Sequence, residues 1–275
     1  MAKSQPRSRR RRRAAVPLPA PVARPGATPK TTEEVEAIAR SGALLSGCLD
    51  MLVEHAAAGT TTAHLDGLAE RYIVERGGTP AFKGYHGYPA TITSSVNEQV
   101  VHAIPGDYAL REGDILSIDC GVILDGWVSD AARTVPIGKI SAAATRLLET
   151  TEASLAAGIA ACRPGNHVGD IGHAVQTVVE AAGFAVVRSL VGHGVGRAMH
   201  EEPQVPNFGA PGTGPVLLEG MVLAIEPMVN VGHHDVVTGA DGWTVTSRDG
   251  SLSAHFEHTV AATAAGPRVL TATDG

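Results

Sequence analysis

Residues 114–135 read DILSIDCGVILDGWVSDAARTV. Two runs rich in Ile, Leu, Val and Trp flank Asp125-Gly126, and Asp-Gly between such runs is a strong hairpin signal. A two-residue loop there sets Leu124 opposite Trp127 and Gly121 opposite Asp130. Side chains alternate along a strand, so Asp119 shares a sheet face with Gly121. Asp119 and Asp130 then become diagonal neighbours, with Cα atoms roughly 7–8 Å apart unless a bulge shifts the register. Two carboxylates that close repel unless something positive lies between them. Gly121 brings no side chain, which leaves room for that positive group.

The second half of the chain echoes the first. Residues 112–119 read EGDILSID and residues 219–226 read EGMVLAIE, so Glu, Gly, Leu and Ile match in register and Asp119 falls on Glu226. Further along, Asp130 precedes AARTV as Glu257 precedes HTV. Acid matched to acid at both positions predicts a duplicated chain of two related halves, each giving two carboxylates. A turn at Asp249-Gly250, between WTVTSR and SLSAHFEHTV, puts Glu257 on another antiparallel strand.

Ionised carboxylates are almost never buried unless paired or bound to metal. Arg and Lys are absent from residues 114–132 and 219–247, so four acids on core-type strands imply bound cations. Carboxylates joined by an imidazole suit Mn2+, Fe2+, Co2+ or Zn2+. Four acids exceed the needs of one ion and predict a pair, roughly 3.5–4 Å apart and bridged by a hydroxide, the arrangement of two-metal hydrolysis. No G-x-S-x-G nucleophile motif competes.

The chain has 12 histidines, which sort unequally. His193, in GHGVG, is the candidate imidazole ligand, because its flanking glycines allow close backbone approach. His102, in VVHAIPG, and His200, in MHEEP, admit two readings: pocket groups that polarise a substrate carbonyl or amide, or satisfied structural histidines. The His233-His234-Asp235 run reads as exposed loop. His255 and His258 flank Glu257, and His255 shares its face, but neither is assigned as a ligand. His86 has only the aromatic, glycine-spaced loop FKGYHGYP (residues 82–89) as context.

The remaining signals frame this site. Residues 1–30 hold nine of the 22 basic residues, including Arg9 to Arg13, and no acid. They read as a disordered, proline-rich extension that either docks on an anionic surface such as ribosomal RNA or is a solvated tail. The other 13 basic residues face 28 acidic ones, so the body, residues 31–275, is no nucleic-acid binder. Three cysteines without C-x-x-C suggest a reducing, cytoplasmic compartment, and Cys120 reads as a small buried hydrophobe. No stretch is long and apolar enough to span a bilayer, and alternate prolines at 17, 19 and 21 argue against a signal helix. Helices are predicted from the Thr31-x-x-Glu34 capping box through Leu52, from Thr60–Thr62 to Arg76 with Leu65, Leu68 and Tyr72 inward, from Ser141 to Gly158 and from Val168 to Ala182.

The segments YHGYP, NEQVVHAIPG, GDILSIDCGVILDGWVSDAARTV, GHGVGRAMHEEPQVPN, AIEPMVN, DGWTV and SAHFEHTV together resemble type I methionine aminopeptidases, within the M24 metallopeptidases, from about residue 31 to the end. That resemblance implies an α+β pita-bread (creatinase/aminopeptidase-like) fold, two pseudo-symmetric αβ halves around a curved antiparallel sheet. It implies Asp119, Asp130, His193, Glu226 and Glu257 as ligands of two divalent ions, with Glu226 also activating the bridging water. His102 falls near the scissile amide nitrogen and His200 near the scissile carbonyl oxygen. Tyr85, Tyr88 and Trp243 match pocket positions. Phe82 and Thr93 stand where a common bacterial form has cysteines, and Met199 where it has phenylalanine, which changes pocket shape and not chemistry. The implied reaction removes the initiator methionine from nascent chains with a small second residue, by a cytoplasmic monomer. Two readings compete: a prolyl dipeptidase or Xaa-Pro aminopeptidase of the same fold, and a non-catalytic, ribosome-associated module. Only 25 residues separate His200 from Glu226, too few for the long helical insertion of the type II enzymes.

Overall fold

The computed structural model describes residues 28–272, so all but the last three residues of the basic extension lie outside it. The hairpin forms in the expected register. Strand Ile115–Leu124 pairs antiparallel with Trp127–Pro136, Leu124 opposite Trp127 and Gly121 opposite Asp130, with no bulge. Asp125 and Gly126 both take positive φ, 51° and 75°, as a type I′ turn requires.

Two helix pairs back the sheet. Helix α1 (Thr32–His55) starts at the capping box: Glu34 N–H donates to Thr31 Oγ1, and Thr31 N–H donates to the Glu34 carboxylate at 2.9 Å. Its Val35, Ile38, Leu45, Leu49 and Leu52 stripe is buried. Ser41, on that side, donates to the Val122 carbonyl at 3.0 Å and so ties α1 to the hairpin. Helix α2 (Thr62–Glu75) ends before Gly77, but its buried face is rotated by about one residue from the expected one. Ala69 and Ile73 are fully buried, whereas Leu68 and Tyr72 only flank the core, Tyr72 lying under the Arg76 guanidinium. Helices α3 (Ala142–Ala161) and α4 (Val168–Ala181) pack on each other in the second half.

Among the described residues the main sheet has nine strands. Its centre joins the halves: Trp127–Pro136 pairs with Glu257–Thr263, which pairs with Val222–Ile225, which pairs with Gly192–Gly194. The echo noted in the sequence is physical. In the first half Gly113 N–H donates to the Ile137 carbonyl and Ile137 N–H returns to Asp114; in the second, Gly220 N–H donates to Ala262 and Ala262 N–H returns to Met221. Gly113 and Gly220 both sit at positive φ, 95° and 85°. This is the α+β architecture of two related halves around an antiparallel sheet that the resemblance implied.

One expectation fails locally. SLSAHFEHTV does not form one strand: Ser253–His255 pairs with Met228–Asn230 in a separate three-stranded sheet, and the chain breaks at Phe256 before Glu257–Thr263 joins the main sheet.

The duplicated glycine sets a stability prediction. Gly113→Ala costs only the left-handed backbone term of about 1–2 kcal/mol, since an added Cβ meets nothing nearer than the Lys139 carbonyl oxygen at 3.9 Å. Gly220→Ala adds a Cβ 2.4 Å from the Lys30 carbonyl oxygen and should lower the melting temperature further in a thermal unfolding comparison.

Candidate active site

Strand register alone brings the four acids together. Asp119 pairs with Ala132 across the hairpin, and Ala132 pairs in turn with Glu257. The next pair, His258 with Ile225, sets Glu226 beside Glu257 when carried one residue further. One row across the sheet therefore holds Asp119, Glu257 and Glu226 on a single face. Asp130 lies two residues from Ala132 on the same strand and face. His193 enters from the far side, paired with Ala224, which shares a face with Glu226. Thr259 fixes the Asp130 backbone where the ladder lapses: its hydroxyl accepts from Asp130 N–H at 2.9 Å and donates to Asp130 C=O at 2.8 Å.

The electrostatics are those of a site built for cations. Asp119 and Glu257 are 7% and 2% exposed. Burial pushes the Asp119 carboxyl up to about 7 and lifts Asp130, Glu226 and Glu257 well above the usual carboxylate range, with neighbouring carboxylates adding to the rise of these three. Asp119 Oδ1, Asp130 Oδ1 and Glu257 Oε1 have no hydrogen-bond partner. A buried polar atom left unpaired costs about 1–3 kcal/mol, more when charged, so ionised acids here call for a counter-ion and, without one, hold their protons. Asp130, His193 and Glu257 each offer a ligand atom within 4.8 Å of the other two. His193 Nε2 lies 3.7 Å from Asp130 Oδ2 and 3.6 Å from Glu226 Oε1. Its Nδ1 sits 2.9 Å from the Gly194 carbonyl, so Nδ1–H donates there and the Nε2 lone pair faces the acids. Burial holds the ring neutral, its pKa down at about 4. Carboxylate oxygens plus one imidazole fit a divalent ion.

A cavity of about 250 Å3 opens over this floor. Phe82, Tyr88, Met199 and Trp243 wall it, with Thr93 opposite Asp119 in the neighbouring strand. Tyr88 meets Trp243 edge-on, ring centroids 5.1 Å apart. Tyr85 Oη lies 2.8 Å from His200 Nδ1, and burial, aided by His193, His102 and His86, holds His200 down at about 3. His102, at φ 62°, also lines the cavity, whose walls lower its pKa.

The chain is similar along most of its length to known peptidases. The model of metallopeptidase family M24 matches residues 36–264. The chain belongs to that family. It is 52% identical over 242 residues to the methionine aminopeptidase of Clostridium perfringens, covering 88% of this chain and 97% of that one. The crystal structure of the Rickettsia prowazekii methionine aminopeptidase superposes with a TM-score of 0.88 at 40% identity, covering 90% of this chain and all (100%) of the other. The prolidase of Pyrococcus furiosus, at 21% identity and a TM-score of 0.73, shares the fold alone, with 66% of its chain covered. The fold is thus the pita-bread fold, and this M24 chain is a divalent-metal peptidase.

Within the M24 site, several features were not legible in advance. The gap left by Gly121 is not ionic space: a Cβ there would lie 2.9 Å from Phe82 Cε1 and 3.3 Å from Met199 Cε, so the glycine seats the pocket wall. Arg133, three residues on from Asp130, turns away to Asp50 and Ser46 on α1. His255, assigned no role from sequence, is buried with both ring nitrogens unpartnered, its Nε2 3.9 Å from Glu226 Oε2. Burial holds it neutral, its pKa down at about 3. His86 also lines the cavity, its ring edge-on to Tyr85 at 4.3 Å. Its φ of 49°, between Gly84 and Gly87 at positive φ, gave no periodic signal.

These carboxylates predict an inverted pH dependence for the metal-free protein. Asp119 binds its proton up to about pH 7 when folded and only to about 3.9 when unfolded, so the folded state holds the extra proton between those values. The stability these acids contribute therefore falls as pH rises through that window, and Asp130, Glu226 and Glu257 act in the same direction. The buried, neutral His193, His200 and His255 act oppositely, since unfolding lets them take up protons below their ordinary pKa of about 6.5. The two sets are separated by metal: the rise in melting temperature that divalent ion gives over chelated protein should be larger at pH 7, where the ion no longer competes with carboxyl protons, than at pH 5. An equal rise at the two pH values would contradict the raised proton affinity of these acids.

Proposed function

We propose that this chain removes the N-terminal methionine from polypeptides whose second residue is small. The proposal rests on the meeting of the acid cluster with a cavity walled by Phe82, Tyr88, Met199 and Trp243. An unbranched, polarisable thioether suits such a wall, because it fills irregular apolar space and contacts ring edges favourably.

Asp119, Asp130, His193, Glu226 and Glu257 would hold two ions drawn from Co2+, Fe2+, Mn2+ and Zn2+. Such ions supply a nucleophile at neutral pH and polarise the scissile carbonyl. Glu226, whose proton affinity burial and Glu257 raise, takes the proton of the attacking water and returns it to the leaving amine. Tyr85, donating to His200 Nδ1, leaves Nε2–H to face the cavity and steady charge on the carbonyl oxygen. His102 stands to meet the scissile amide nitrogen, and Thr93 closes the pocket beside Asp119. Nascent N-termini are the natural substrates in this reading. The chain would act as a cytoplasmic monomer that contacts the ribosome through Arg9 to Arg13; those residues lie outside the described structure. Among the described residues no helix is long and apolar enough to cross a membrane.

Side-by-side hydrolysis of Met-Ala-Ser and Xaa-Pro peptides tests the substrate. Cleavage of the first alone is expected, and preference for Xaa-Pro would overturn the proposal. Asp119→Asn should abolish turnover together with metal content, and normal turnover in that variant would refute the ligand assignment. Gly121→Ala, crowding Phe82 at 2.9 Å, should lower kcat/KM for Met-Ala-Ser roughly tenfold through KM, in line with overpacking costs of about 1–3 kcal/mol.

A further inference from the structure

A second group of metal-ligating side chains lies outside the cavity, on the loop between strands Met228–Asn230 and Val236–Thr238. His233, His234 and Asp235 each present a ligand atom within 4.8 Å of the others. Both imidazoles turn the same edge to one carboxylate: His233 Nδ1 is 3.5 Å from Asp235 Oδ2, and His234 Nδ1 is 3.2 Å from Asp235 Oδ1. Ligand atoms bound tetrahedrally to Zn2+ at about 2.0–2.2 Å lie roughly 3.3–3.6 Å apart, so each imidazole–carboxylate separation is near that size, and the three ligand atoms, already within 4.8 Å of one another, need only draw together. The two rings stack at 4.2 Å with a 34° tilt, which keeps their Nδ1 atoms on one side. Asp235 N–H donates to His233 Nδ1 at 3.4 Å, a long contact that a bound ion would replace.

The backbone beneath is already held. His233 N–H donates to Asp249 Oδ2 at 2.7 Å, Gly232 N–H to Ser251 Oγ at 3.0 Å, and Asn230 Nδ2 to the His233 carbonyl at 2.8 Å. Little ordering remains to be done on binding. The open coordination positions face water, since His233 and Asp235 side chains are 63% and 48% exposed. Arg248, its Nε 3.8 Å from Asp235 Oδ2, is a competing cation.

We propose that His233, His234 and Asp235 form a second, surface site for one borderline divalent ion of the Zn2+ class, separate from the catalytic centre. Two imidazoles and one carboxylate, with solvent completing the shell, suit Zn2+, Ni2+ or Cu2+ over Mg2+ or Ca2+. The site clips the base of the antiparallel pair Val236–Thr238 and Val245–Ser247, whose far end leads to Trp243.

Equilibrium dialysis of the full chain against micromolar Zn2+, followed by metal quantification, tests it. Wild type should keep one more Zn2+ per chain than His233→Ala/His234→Ala, while zinc-free preparations reconstituted with Co2+ cleave Met-Ala-Ser at the same rate in both. Each single alanine variant should lose the extra ion, and Arg248→Ala should bind it several-fold more tightly. Equal zinc in wild type and the double variant would overturn the proposal. So would a full count in either single variant, because a lone imidazole would then suffice.

Discussion

Four carboxylates share one sheet face, and among the described residues their ion pairs are only with His193 and His255. Neither imidazole is charged near neutrality, since burial depresses both. Without a metal the mutual repulsion is relieved only by the carboxyls keeping their protons, and folding must hold the acids together. Strands do this where loops could not. Each carboxylate is tied to a ladder register, Asp119 to Ala132 and Ala132 to Glu257, so spreading the charges would mean breaking the central pairing of the sheet. The opposite face and the helices supply the compensating burial: Ile118, Cys120 and Ala131 lie in the same apolar cluster as Leu45, Leu49 and Leu52 of α1. Metal binding and folding are thus linked terms of one balance.

The parts of this arrangement that depend on local rules were legible in the sequence. Period-two alternation and the Asp125-Gly126 turn determine the hairpin, and the Thr31 to Glu34 capping box determines where α1 begins. The Glu-Gly echo located the second half because the same left-handed glycine starts a strand in both, at Gly113 and Gly220. Tertiary choices were not legible. Strands of three residues, Gly192–Gly194, Met228–Asn230 and Ser253–His255, are too short to show a period. His255 belongs to such a strand, and its approach to Glu226 follows from the break at Phe256, which alternation along SLSAHFEHTV cannot express. The face of α2 was misjudged for a related reason: amphipathic spacing allows Leu68 and Tyr72 inward, and only packing against the sheet selects Ala69 and Ile73.

Charge and shape in the cleft come from different kinds of element. The ligand candidates stand on or beside the strands of the main sheet, whereas the pocket wall comes mostly from loops: Phe82, Tyr85 and Tyr88 from one half, Met199, His200 and Trp243 from the other. Tyr88 and Trp243 each have a local anchor. The Tyr88 hydroxyl lies 3.0 Å from the Ile92 carbonyl and 3.1 Å from that of Ala103. Asp241 accepts from the backbone N–H of Trp243 and Thr244 and from the Thr244 hydroxyl at 2.6 Å, which fixes the turn that presents the indole. The Trp243 anchor is separate from the ladder that spaces the acids, whereas the Tyr88 hydroxyl bonds Ile92, and Ile92 and Thr93 pair with Cys120 and Asp119 in that ladder. Floor and wall meet at Gly121, where the hairpin strand carrying Asp119 approaches Phe82 and Met199, and also where the His193 and His200 rings lie 4.2 Å apart and where Thr93 pairs with Asp119. A side chain at Gly121 would transmit strain from the pocket to the ligands. The empty position opposite Asp130 therefore spares the ligands that source of strain.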